Sequence, residues 1–348
     1  MSDPGKGTDQ RAMRSAFDAA ERWLKRDGQV VMATVVNTWG SAPVPIGGQM
    51  VIATDGDFQG SVSGGCVEGE VIAAAEDVAA NGKPETLAFG VSDETAWGAG
   101  LPCGGEIAVY LEPVDRDAGL PIVSRATDAL DRRSGLVIST DLGTGRKAVH
   151  ARGDERVPDD IAPRFRSGKS SLVEKDGAKV FHQAILPPAR VVVIGATHIA
   201  QLFCEMARLC AFEVIVVDPR TAFASAQRFP GVDLQAEWPQ DALPEIGLDA
   251  YTALVVVAHV SHIDDEALKI GLRSDCLYVG ALGSKRNHEK RTQRLTEAGF
   301  TADDIARIKC PIGLDIGAQT PAEIATAILA EVILSVRGTK AQTRLSEG

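Results

Sequence analysis

From Arg190 onward, short apolar runs alternate with helical patterns, and few folds accept that arrangement. Val191–Ile194, Glu213–Val217, Thr252–Ala258 and Leu277–Val279 read as strands. Ile199–Leu209, Asp264–Leu272 and Lys285–Ala298 read as helices between and after them. Strands that are apolar along their whole length are buried on both faces. Alternation with helices therefore predicts a doubly wound parallel sheet covered on both sides. Thr320-Pro321-Ala322-Glu323 opens a further helix, with Thr320 as N-cap, Pro321 in the first turn and Glu323 completing a capping box.

The first strand runs into Gly195-Ala196-Thr197-His198-Ile199-Ala200. Gly195 fits the sharp turn of a dinucleotide-binding fingerprint, and Ala200 fits the position where helix packs on strand. Thr197 stands where a second glycine would let backbone approach a pyrophosphate. Asp218 ends the second strand 23 residues after Gly195, where an acid would bind a ribose hydroxyl, and Arg220 follows as a candidate for a 2′-phosphate or another anion. A Rossmann-like domain is the expectation. NAD(P) is one reading of its ligand; the other is a helix N-terminus that binds a different anion or none. His198 and His259 each follow a strand at the carboxyl edge, as ligand groups or as hydrogen-bonded structural residues.

The first half reads as an α/β domain of different character. Ser15–Arg26 has helical periodicity stopped at Gly28, Val30–Val36 and Met50–Thr54 are strands, and Asp55-Gly56 is a tight turn. Val67–Ala80 is a helix, Thr86–Phe89 and Glu106–Leu111 are strands, and this part ends near Pro113. The segment 114–188 is read as a helix over Asp117–Arg132, strands at Leu136–Thr140 and Lys147–His150, and loop through Val157–Ser171. It is assigned to the first domain, with Leu186-Pro187-Pro188 as linker. The domains are thus 1–188 and 189–348.

Glycine-dense loops mark the first half: Gly40-Ser41-Ala42-Pro43, Gly60-Ser61-Val62-Ser63-Gly64-Gly65-Cys66-Val67-Glu68, and Gly98 to Glu106 with Cys103-Gly104-Gly105. Such loops expose backbone N–H groups and permit close ligand approach. Cys66 adjoins a helix N-terminus, where the dipole favours negative charge, and a thiolate is both a soft metal ligand and a nucleophile. The other reading of Cys66 and Cys103 is small buried residues beside tight turns.

The remaining composition excludes function classes. The 348 residues carry a net charge of -11, which repels nucleic-acid backbones. No apolar run approaches the roughly 18 to 20 residues of a membrane span. The N-terminus lacks a secretory pattern, so a cytoplasmic protein is expected. Six scattered cysteines without a CxxC pair suggest neither a disulfide framework nor a zinc ribbon.

These stretches together resemble the XdhC/CoxI family, maturation factors of xanthine dehydrogenase and related molybdenum hydroxylases. The resemblance also takes in Val217-Asp218-Pro219-Arg220, Gly280-Ala281-Leu282-Gly283-Ser284-Lys285-Arg286, Pro311 to Ala318 and Thr320 to Ala325. It departs at Thr197, where members often carry glycine, and at Ala258-His259-Val260, where a Thr-His-Asp stretch is usual. The resemblance implies an accessory protein rather than an enzyme. Such a protein binds the molybdenum cofactor (molybdopterin), shields it while terminal sulfur is installed, and delivers it to a xanthine dehydrogenase-type apo-enzyme. A cysteine desulfurase partner and a homodimer are implied too. On that reading Cys66 is a molybdenum ligand or sulfur relay and Cys103 a supporting thiol. Ser41, Gly64, Gly65 and Glu68 line the first site. Gly195, Thr197, His198, Asp218, Arg220, His259, Gly283, Ser284, Lys285, Arg286 and Asp315 line the second. Surface solubility is the competing role for Lys285 and Arg286, and holding a turn is that for Asp315. Two other functions compete: an NAD(P)-dependent oxidoreductase, and a non-catalytic scaffold between apo-enzyme and sulfurase.

Overall fold

A computed structural model describes residues 10–40, 42–90, 105–175 and 177–338. The chain divides into two units between Pro187 and Pro188.

In the first unit, α1 (Gln10–Asp27) ends at Gly28, whose φ of +85° a side chain would resist. Two antiparallel sheets follow. The larger contains β1 (Gln29–Trp39), β2 (Gln49–Ala53), β3 (Phe58–Gly60), β4 (Glu85–Phe89) and β5 (Glu106–Asp115), in the order β3-β2-β1-β5-β4. Helix α2 (Glu68–Asn81) lies between β3 and β4 in sequence and closes on Gly82 in the left-handed conformation. After α3 (Arg116–Asp131), the second sheet contains β6 (Leu136–Asp141), β7 (Lys147–Ala151), β8 (Ser171–Lys175) and β9 (Ala178–Ile185), in the order β7-β6-β9-β8, with the single turn α4 (Arg164–Ser167) between β7 and β8.

Alternation along β1 divides the core. Val31, Ala33 and Val35 join the α2 side, while Val30 and Met32 join α1 and α3. The structure extends the sequence reading of this unit. The strand expected to end at Leu111 continues through Pro113, which pairs with Val31. The stretch from Ser171 carries two strands that had no reading, β8 and β9. The sheets of this unit are antiparallel throughout.

The second unit is a six-stranded parallel sheet. Its strands are β10 (Arg190–Ile194), β11 (Glu213–Val217), β12 (Asp233–Gln235), β13 (Thr252–Val256), β14 (Tyr278–Ala281) and β15 (Ile308–Lys309), in the order β12-β11-β10-β13-β14-β15. Its helices are α5 (His198–Leu209), α6 (Pro239–Ile246), α7 (Ser261–Arg273), α8 (Lys285–Glu297), α9 (Ala302–Ala306) and α10 (Pro321–Arg337). Val191 and Val193 face the layer of α5 and α10, while Val192 and Ile194 face that of α6, α7 and α8. Both faces of β10 are thereby buried, which is why its sequence is apolar without alternation. The order reverses between β10 and β13, so the loops leaving these strands flank a crevice at the carboxyl edge. Among the described residues, no helix is long and apolar enough to cross a membrane.

Candidate functional site

The loop from Gly60 to Glu68 is built around a carboxylate. Gly60 has φ +94°, and a Cβ there would lie 2.2 Å from the Gln49 carbonyl oxygen, so only glycine fits. Glu68, the first residue of α2, turns back under the loop. Its Oε1 accepts from Ser61 Oγ at 2.6 Å, Val62 N at 3.2 Å and Ser63 N at 2.9 Å. Its Oε2 accepts from Ser63 Oγ at 2.5 Å and Gly65 N at 2.9 Å. The serine hydroxyls take the remaining amides: Gly64 N donates to Ser61 Oγ, and Cys66 N and Val67 N donate to Ser63 Oγ. These bonds outweigh the desolvation of Glu68 and hold its carboxyl down at about 2.

This accounting corrects the sequence reading of the loop. The amides of Gly64 and Gly65 are engaged internally and do not form an anion cradle, because Glu68 already occupies that place. Glu68 itself is buried, with both oxygens engaged, and acts by shaping the loop. Ser61 and Ser63 had not been singled out; two serines ahead of a glutamate at the helix start were the available signal. Val62 and Val67 anchor the loop in the core beside α2. Cys66 is exposed at the loop's outer turn, one residue before the N-cap of α2, so the reading that buries this thiol fails. Ser41 and Cys103 lie outside the described residues.

In the second unit the predicted positions converge on the carboxyl edge of the sheet. Gly195 has φ +106°, and a Cβ there would come within 2.4 Å of Ala258, so the loops after β10 and β13 meet at this point. Thr197, at the second-glycine position, is the N-cap of α5 and accepts from Ala200 N at 3.3 Å. His198 is exposed in the first turn of α5. His259, also exposed, holds φ +59° just beyond β13, a costly conformation for a residue with a Cβ. Gly283 and Ser284 lead into α8, with Ser284 as its N-cap, and Lys285 and Arg286 are exposed in its first turn. Asp315 is exposed on the loop between β15 and α10.

Asp218 departs from its predicted part. It is fully buried, and each oxygen accepts two hydrogen bonds. Oδ1 takes Arg220 N and Arg220 Nε, both at 2.9 Å; Oδ2 takes Ala196 N at 2.7 Å and Arg220 Nη2 at 2.6 Å. Its acceptor capacity is filled from within the fold, which leaves none for a ribose. Arg220 keeps one face over the Phe223 ring, 4.3 Å from its centre. Sequence reasoning also missed Asp264 and Arg291 at this edge, because an acid in the first turn of a helix reads as ordinary dipole complementarity.

Comparison with known proteins follows this division. Residues 23–90 match a family model described as the XdhC and CoxI family, and residues 191–332 match one described as the XdhC Rossmann domain. The chain belongs to the XdhC and CoxI family. It is 26% identical over 310 residues to the molybdenum cofactor insertion chaperone PaoD of Escherichia coli, covering 87% of this chain and 82% of that protein. It is likewise 26% identical over 318 residues to a Bacillus subtilis protein named as a probable xanthine dehydrogenase subunit, covering 89% of this chain and 94% of that protein. A crystal structure described as a xanthine dehydrogenase from Bacillus halodurans superposes with a TM-score of 0.61 at 27% identity, covering 94% of this chain and 97% of that one.

Proposed function

We propose that this protein binds the molybdenum cofactor, shields it while its terminal sulfur is installed, and delivers it to a xanthine dehydrogenase-type enzyme. The observation that carries this reading is Cys66: an exposed thiol on a loop whose amides from Val62 to Val67 are tied to Glu68, Ser61 and Ser63. A loop with its amides engaged offers a ligand little but that sulfur, and thiolates are soft ligands suited to a metal–sulfur centre. The names of the relatives support the choice of cargo.

Taken by itself, the carboxyl edge of the second unit suits the phosphate group of a ligand. Lys285 and Arg286 are exposed beside the Ser284 cap, and α5 presents its N-terminus at the same edge. NAD(P) is a weaker fit, because Asp218 is engaged with Arg220 and Ala196. On the family resemblance, a cysteine desulfurase and the apo-enzyme are the partners, and the chain acts as a homodimer.

Purification from a molybdate-fed host, followed by metal analysis and pterin fluorescence, tests the reading. Wild-type protein is expected to carry molybdenum and pterin together, and Cys66→Ala to lose most of both while staying folded. Wild-type protein free of pterin refutes cofactor binding. Unchanged loading of Cys66→Ala refutes the thiol's role and favours a scaffold.

A further inference from the structure

Beneath the carboxyl edge of the parallel sheet lies a charged cluster to which the cofactor reading assigns no part. Asp264, in the first turn of α7, is 2% exposed, and Arg291 of α8 is 5% exposed. Arg291 Nη2 lies 3.7 Å from Asp264 Oδ2. Asp264 Oδ1, Arg291 Nε and His288 Nδ1 are buried without a hydrogen-bond partner among the described residues. Native folds rarely leave such groups unpaired without a use for them.

The cluster reaches the loops around the edge. Arg291 donates to the Leu282 carbonyl at 3.1 Å and to Cys310 Sγ at 3.6 Å, and Cys310 in turn donates to the Gly283 carbonyl. Arg220, which grips Asp218 and through it Ala196 N, also draws Asp264 toward its charged form. The backbone amide of His259 favours the same charged form. Asp264 is therefore paired with Arg291 and feels the charge of Arg220, and these two guanidiniums hold the loops after β10, β11, β14 and β15. Its neighbour Asp265 is paired with Arg294 of α8. His288 is kept toward neutral by burial and Arg291, and burial raises the Cys310 thiol. Burial is also the largest influence on Asp264, whose carboxyl it pushes up to about 6.

We propose that Asp264 takes up a proton when an oxyanion or phosphate ester binds at this edge, so that anion and proton bind cooperatively. The proposal rests on the reading above that the edge receives the phosphate end of a ligand. Two carboxylates, Asp218 and Asp264, balance two guanidiniums, Arg220 and Arg291. A dianion arriving beside this network, met at the surface by Lys285 and Arg286, makes the potential at Asp264 more negative, and a proton moving from solvent to the unpartnered Oδ1 offsets part of that change. It also releases both arginines from Asp264. By linkage, an anion that raises this carboxyl must bind more tightly where the carboxyl is protonated.

Sulfate is the probe, because its charge is constant between about pH 5 and 8. Calorimetry on the full chain in buffers of different ionisation enthalpy is expected to show proton uptake near neutral pH. For a one-unit shift of a group that titrates near 6 in the free protein, the affinity should be about sixfold greater at about pH 5.5 than at about pH 7.5. Asp264→Asn should bind sulfate with little dependence on pH. His288→Gln should keep the wild-type slope. A flat wild-type profile, no sulfate binding at any pH, a slope that survives in Asp264→Asn, or one that vanishes in His288→Gln overturns the proposal. The wild-type protein gives a second readout that does not depend on the fold of a variant. Its infrared carbonyl band from a protonated acid should titrate near 6 in the free protein and move upward with sulfate; a midpoint that sulfate leaves in place also overturns it. Protein purified without pterin would refute the cofactor reading and leave the sulfate result standing.

Discussion

In the loop before α2, the carboxylate of Glu68 stands where a bound anion would otherwise stand. Its hydrogen bonds to Ser61, Val62, Ser63 and Gly65 are charge-assisted or to buried amides, the kind worth most. Glu68→Gln keeps the shape but turns one acceptor into a donor facing donors. It should cost about 2 kcal/mol in urea unfolding at neutral pH. The sign with pH follows from a folded value of about 2, below the ordinary 4.5. The contribution is complete above about 4.5 and is lost as pH falls toward 2. The gap between wild type and Glu68→Gln should therefore narrow over that window; a constant gap would show that the charge is not what matters. Glycines nearby differ for a geometric reason. Gly60→Ala meets a backbone oxygen at 2.2 Å, whereas Gly64→Ala has 3.5 Å to Pro43 and only an unfavourable φ of +79° to bear. Gly64→Ala should cost about 1 kcal/mol and Gly60→Ala clearly more, by the same unfolding measurement.

At the scale of elements, the caps were the most legible feature. Thr320 and Glu323 form the reciprocal capping box that their spacing announces, because both partners lie within one turn of each other. Thr197 shows the limit of such reading. Its departure from the glycine pattern suggests crowding of a ligand, yet its hydroxyl serves as the N-cap of α5. Thr197→Ala should cost about 1 kcal/mol, and Thr197→Gly only a few tenths, since glycine is itself tolerated at this position. Equal losses for both variants in thermal unfolding would contradict the capping role. Strands β8 and β9 escaped the sequence reading because Lys175, Lys179, His182 and Gln183 dilute the apolar signal. His182 is a buried polar residue within β9: its Nδ1 lies 2.8 Å from Ser139 Oγ on the neighbouring strand.

At the scale of the whole molecule, each apolar cluster among the described residues lies within one unit. Those of the first unit run from Met13 to Ile185, and those of the second from Val191 to Val332 among buried residues. Each unit therefore has its own core, and a fragment spanning 188–338 should fold alone. Far-UV circular dichroism and a cooperative thermal transition of that fragment check this; a fragment without cooperative melting would show that its core is incomplete.

Local pattern determined the second unit's fold and the residues at its carboxyl edge. Apolar runs, a glycine at a turn and capping residues act over a few residues, and those distances are visible in a sequence. Tertiary structure decided which polar groups remain free. Glu68 fills its own loop, Asp218 is consumed by Arg220, and Asp264 meets Arg291 from a different helix. Hydrogen-bond capacity is set by who stands within about 3 Å in space, and no spacing along the chain reports that.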